Sequence, residues 1–244
     1  MTGHWLDEAV AASQLPTPQV FPRELATEVD SYLKVSMEFL PMLTTDGVRD
    51  WLGWRDFEYH EDEAPRRLHG CMVANAGGAV LLMDSEDSLE EQRFTLAHEV
   101  AHFVLDHLVP RDWALRMFGE SIRPVLDGLR DPTPHELISS HFSRVPIGVQ
   151  VKLMDRNQTG TIQSAKVLQA ERRADRLAFE FLAPAALAME TLSQHSEDDG
   201  VEALATRFGL TRRAAHEYAR MLVRPRRPER FSLVRMLGTD GRGQ

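Results

Sequence analysis

The sequence predicts an α+β fold that is mostly helical, with a small β-hairpin or sheet ahead of its central helix. Three observations carry that prediction. Apolar residues recur at helical spacing through Leu89–His107 and again through Ser164–Leu182. Two short apolar runs flank Asn75-Ala76-Gly77-Gly78, which reads as a hairpin turn. Elsewhere Pro and Gly cut the chain into short pieces.

In chain order, the first residues, through "LPTPQVFP", are Pro-rich and read as an irregular arm. Arg23–Leu40 carries Leu25, Val29, Leu33, Met37 and Leu40 near helical spacing, so a helix ending before Pro41 is expected. Thr45 is placed to cap a short helix over Asp46–Leu52, and the acidic "EYHEDEAP" reads as an exposed boundary. After the hairpin, Ser88 followed by Glu91 has capping-box spacing and starts a helix expected to stop before Pro110. Residues 108–163 are broken by Pro and Gly, with short helical pieces between. Ser164 is placed to cap a helix ending before Pro184. Past the polar "SQHSEDDG", two short helices, Val201–Phe208 and Thr211–Val223, join at Gly209. The organisation is therefore an arm with helices to 65, a core over 66–190 with an insertion at about 108–163, a helix pair over 195–224 and a basic tail over 225–244.

A chain of 244 residues can bury a core, and 43% hydrophobic with 27% charged residues fits a globular protein. The net charge of −9 argues against global attraction to nucleic acid. The C-terminus departs from this, with nine Arg against three acidic residues from Arg212 onward. The single cysteine, Cys71, excludes an internal disulfide and a cysteine zinc cage, and fits a reducing compartment. "MTGHWLDEAV" lacks the pattern of a signal peptide and no apolar run has the length of a membrane span, so a cytoplasmic protein is expected.

The chemistry centres on "TLAHEVAHFVLDH". Residues four apart share one helix face, so His98 and His102 can direct two imidazoles at one ion. Glu99 lies about 100° round the helix, where its carboxylate can reach a water on that ion. Zinc brings the pKa of bound water toward ~7, and a carboxylate then takes its proton during attack on a carbonyl. About 0.03 accidental matches to H-E-x-x-H are expected in a chain of this composition, so chance is a weak explanation. The competing structural reading is a buried helix with two hydrogen-bonded histidines, and Val100, Ala101, Val104 and Leu105 bury the helix in either case.

A catalytic zinc takes a third protein ligand. His107 stands five residues past His102, about 140° round the helix, and is rejected; near a helix C-terminus it reads as a favoured cation. "QAERRADRLAFEFLAP" offers better. Glu171 and Asp175 share one face, with Ala174 and Ala178 as small neighbours permitting close packing. One carboxylate can bind the ion while the other holds the far nitrogen of a ligand histidine. The structural alternative is a salt-bridged helix using Arg172, Arg173 and Arg176.

Taken together, "RFTLAHEVAHFVLDH", the preceding hairpin and "ERRADRLAFEFLAP" resemble the ImmA/IrrE-type zinc metallopeptidases. Arg93, Thr95, Ala97, His98, Glu99 and His102 match the first part of that pattern. Glu171, Ala174, Asp175, Ala178, Leu182 and Pro184 match the second, with Leu177 in the usual Phe position. The resemblance implies a zincin-like core, one Zn²⁺ per chain, Glu171 as third ligand and Asp175 as support for a ligand histidine. It also implies a protein substrate, typically a helix-turn-helix repressor in stress response and transcription regulation. The departure lies between the two helices, where Glu171 follows His102 by 69 positions. That insertion is too apolar to be disordered and is expected to fold onto the site, as a lid, a wall or a regulatory element. His135, His141, Arg144 and Arg156 within it are candidate oxyanion donors, with nothing in their spacing to select one.

The sequence thus predicts a cytoplasmic zinc endopeptidase with Glu99 as general base, aminopeptidase action being the variant that sequence does not separate. Two imidazoles and a carboxylate also accept other divalent ions. The rival is a metal-binding regulator without turnover, contacting DNA through the helix pair, with Arg212, Arg213 and Arg220 as nucleic-acid contacts. For that pair the favoured reading is closure of the core through Leu204, Phe208, Leu210, Ala215 and Tyr218.

Overall fold

The computed structural model describes residues 4–59, 64–137, 145, 147–155 and 165–223. It is α+β, with one four-stranded sheet and helices on both its faces. The strands are β1 (Val35–Leu40), β2 (Leu68–Asn75), β3 (Gly78–Asp84) and β4 (Gln150–Asp155), in the order β1-β3-β2-β4. β2 and β3 form the expected hairpin, turning at Ala76-Gly77. β1 adds parallel to β3, and β4 adds antiparallel to β2.

Alternation along β2 and β3 explains why both strands read as continuous apolar runs. Met72, Ala74, Leu81 and Met83 face helix α4 (Leu89–His102). Cys71, Val73 and Leu82 face the opposite side, with Leu43, Val48, Trp51 and Leu52 of and beside α3 (Thr45–Gly53). Both faces are covered, so neither carries polar residues in its middle.

Helix α4 starts where the capping signal puts it, with Ser88 Oγ accepting from Glu91 N–H at 3.2 Å. Its other flank packs on α7 (Ala165–Leu182), and Ala97, Ala101, Ala174 and Ala178 are fully buried in the same core. Small side chains let two helix backbones approach closely. Helices α8 (Ala185–Ser193), α9 (Glu197–Phe208) and α10 (Arg212–Val223) close the core beyond it.

Several expectations need correction. The helix read over Arg23–Leu40 is α2 (Leu25–Tyr32) followed by β1, because parallel pairing with β3 captures the second half. The supposed irregular arm contains α1 (His4–Ser13), whose Leu6 and Ala9 are buried. Thr44, not Thr45, caps α3 and accepts from Gly47 N–H at 3.1 Å. The polar spacer before the last pair is partly helical, since α9 begins at Glu197. The cap expected at Ser164 lies outside the described residues.

The central helix also continues past its expected stop before Pro110. A π-helical turn, Phe103–Leu108, leads into α5 (Val109–Phe118), with Pro110 in its first turn. Val109 N–H bonds Val104 five residues back, and Pro in a first turn forfeits no needed donor. The insertion is likewise more than helical pieces. α5, a 3₁₀ turn (Glu120–Ile122) and α6 (Arg123–Leu126) share a small core of Ala114, Ile122, Val125, Leu126 and Val145. Its later part supplies strand β4.

Arg23 is 3% exposed and holds the N-terminal segment to α7. Its guanidinium donates to Phe181 O at 2.6 Å and Pro16 O at 2.9 Å, and pairs with Glu28. Among the described residues no helix is long and apolar enough to cross a membrane.

Candidate metal centre

The packing of α4 on α7 decides where the chemistry-bearing side chains meet. His98 and His102 emerge one turn apart on the buried face of α4, at 3% and 2% exposure. Their Nε2 atoms are 3.1 Å apart. Glu171 of α7 brings Oε2 to 3.3 Å from His98 Nε2 and 3.5 Å from His102 Nε2. Three ligand atoms from two distant segments therefore converge, the arrangement a divalent ion needs. Of the arginines on α7, Arg173 and Arg176 sit over the Trp5 ring, at 4.7 and 5.9 Å.

The far nitrogens are held as well. His98 Nδ1 is 3.0 Å from Asp175 Oδ1, the contact anticipated for Asp175. His102 Nδ1 is 2.8 Å from Asp106 Oδ2, a partner the motif reading missed. With each Nδ1–H donated to a carboxylate, both Nε2 atoms present lone pairs toward one another and toward Glu171. Three acceptors at such spacing repel unless a cation or protons stand among them.

The ionisation tendencies agree. Burial opposes charge on His98, but hydrogen bonds to Asp175 and Glu171 outweigh it and hold the imidazolium up to about 10. His102 is raised in the same way: burial opposes its charge, and Asp106 and Glu171 favour it more strongly. Glu171 is held far below the usual carboxylate range, as hydrogen bonds from His102 and His98 overcome the effect of burial. The pocket is thus built to hold positive charge.

Glu99 is fully buried beside them. Among the described residues neither carboxylate oxygen has a hydrogen-bond partner. Burial pushes its carboxyl up to about 7, against the lowering influence of His98 and His102. An orphaned buried carboxylate is costly, and it fits a group meant to face a water or substrate. Gly70 of β2 makes room for it: a Cβ there would lie 3.1 Å from Glu99 Oε1 and 2.6 Å from Thr95 Cγ2.

Comparison with known families is consistent with this geometry. Residues 58–120 match the model of the IrrE N-terminal-like domain, Peptidase_M78. Over that quarter of the chain the sequence is similar to the IrrE N-terminal-like domain. The matched span holds the hairpin, α4 with His98, Glu99 and His102, the π-turn and α5, and ends short of Glu171. A comparison with curated proteins found no match. The domain family is one of peptidases, and the cluster of His98, His102 and Glu171 fits a metal ion.

His107 is no ligand and no cation either. Its Nε2 accepts from Gly77 N–H at 2.9 Å, its Nδ1 lies 3.0 Å from the Gln150 amide, and burial lowers its pKa. It ties the hairpin turn to β4 as a neutral ring. Of the four oxyanion candidates, His135 is exposed. His141, Arg144 and Arg156 lie outside the described residues.

Arg212, Arg213 and Arg220 are exposed on α10, Arg213 beside Glu217 at 3.5 Å. The opposite face of the pair is core. Phe179 stacks on Tyr218 at 4.4 Å, and Tyr218 donates to Ala183 O at 2.8 Å. Gly209 turns the pair in the left-handed region (φ 62°), and its carbonyl accepts from Arg93 of α4 at 2.9 Å. The motif arginine therefore anchors the start of α4 to this turn.

Proposed function

We propose that the protein is a metallo-endopeptidase holding one zinc ion per chain on His98, His102 and Glu171. The observation that carries this reading is the convergence of three acceptor atoms beside a buried, unpartnered Glu99. A bound zinc ion would supply Lewis acidity toward a peptide carbonyl and make water a better nucleophile at neutral pH. Glu99 takes a proton from the attacking water and returns it to the departing amine. A carboxyl pushed up to about 7 suits both halves of that task. Asp175 and Asp106 keep the two rings oriented with their Nε2 lone pairs inward.

The proposed substrate is a peptide bond within a protein. The resemblance to ImmA/IrrE-type peptidases supports a DNA-binding repressor as the substrate class, and through it a role in stress response and transcription regulation. Glu99→Gln is the test. The variant keeps its metal, because Glu99 holds no ligand position, and loses about 10²-fold or more in cleavage rate. Cleavage at the wild-type rate would end the reading.

A further inference from the structure

The geometry points to Lys152, on the insertion's strand, as a positioning residue for the His102 ring. This rests on the proposed metal site. The register pairs Lys152 with Met72 and Gln150 with Ala74. Cross-strand partners share a sheet face, and Met72 and Ala74 belong to the core that packs on α4. Gln150 and Lys152 therefore reach over the same side as the metal-binding helix. Gln150 meets His107, as described above. The Lys152 ammonium lies 3.6 Å from Asp106 Oδ2, the oxygen that is 2.8 Å from His102 Nδ1.

The chain of contacts runs from the β4 backbone through Lys152 and Asp106 to His102. Asp106 is 30% exposed and sits on the π-turn, so its carboxylate has room to swing toward solvent. An ammonium fixed on an adjoining strand holds it against His102. Asp106 borrows its footing from a segment that the H-E-x-x-H helix does not contain. The insertion is thereby part of the metal site and not only a cover over it.

The test uses the full chain stripped of metal, with Zn²⁺ alone as probe and a competing chelator to read affinity. Removing a direct partner of a ligand histidine costs about 10–100-fold in metal affinity, so Asp106→Asn is expected in that range. Lys152 acts one contact further away, and Lys152→Met is expected to weaken zinc about three- to tenfold. Lys152→Arg, which keeps the charge, restores most of that loss. In the Asp106→Asn background Lys152→Met adds nothing, because its path is already cut. The side chain at 152 is part-exposed and strand pairing runs through the backbone, so melting of the metal-free protein stays unchanged. If it does not, Lys152→Gln replaces it and must show the same zinc loss. Unchanged zinc affinity in Lys152→Met and Lys152→Gln, or a full additive loss in the double variant, overturns the inference. A wild type that takes up no zinc removes the metal-site reading itself, and this inference with it.

Discussion

Gly70→Ala should damage both stability and catalysis, by an amount the packing sets. Gly70 is held on both sides, opposite Met83 of β3 and Met154 of β4, so the strand cannot retreat. Helix α4 cannot retreat either, since its far side packs on α7 through fully buried Ala97 and Ala101. The new Cβ would sit 2.6 Å from Thr95 Cγ2, whereas carbons rest at about 3.5–4.0 Å. An overlap near 1 Å in a packed core costs about 1–3 kcal/mol. The same Cβ lies 3.2 Å from Glu99 Cγ, so the carboxylate must turn and cleavage falls. Thr95→Ser removes the clashing methyl and keeps the hydroxyl. In that background Gly70→Ala should cost less than half as much, measured by urea unfolding as a double-mutant cycle. Activity should recover less than stability, because the Glu99 contacts persist. A Gly70→Ala protein as stable and active as wild type would refute the reasoning, as would a stability loss that Thr95→Ser leaves untouched.

Zinc affinity should climb with pH well past neutrality. With its imidazolium held up to about 10 from an ordinary 6.5, His98 must give up a proton to bind metal anywhere below that value. Chelator competition between pH 7 and 9 should therefore show about a tenfold gain per pH unit from this proton, where an unshifted histidine would give a plateau. The sign for the metal-free fold is opposite. That stabilisation is full below about 6.5 and is lost as pH rises toward 10. Deleting residues 110–160 should abolish cooperative unfolding, because it removes β4 and bares one edge of β2. Replacing 129–137 by a Gly-Ser linker of equal length should keep zinc and fold, and a gating role for that stretch predicts faster cleavage. Equal rates would argue against gating.

Much of the centre was legible because its signals are local. Ser88 and Glu91 mark the start of α4, and the i, i+4 spacing places His98 with His102 and Glu171 with Asp175 on single helix faces. Asp106 is equally local, at i+4 from His102, but it lies past the end of the H-E-x-x-H pattern. The misses are long-range. Val35–Leu40 continues a helix-like spacing from α2, and only pairing with β3, some forty residues on, makes it a strand. Gln150–Leu153 alternates polar and apolar residues, yet its partner β2 lies far back in the chain, so nothing nearby announced it. Pro110 read as a stop because the π-turn that admits it has no sequence signature of its own.

Elemental analysis of protein reloaded with zinc and dialysed is the most direct measurement of the central claim. One zinc per chain is predicted for wild type and for Glu99→Gln, and little for His98→Ala or Glu171→Ala. Equal zinc in Glu171→Ala and wild type would contradict it, since the carboxylate of α7 would then not be a ligand.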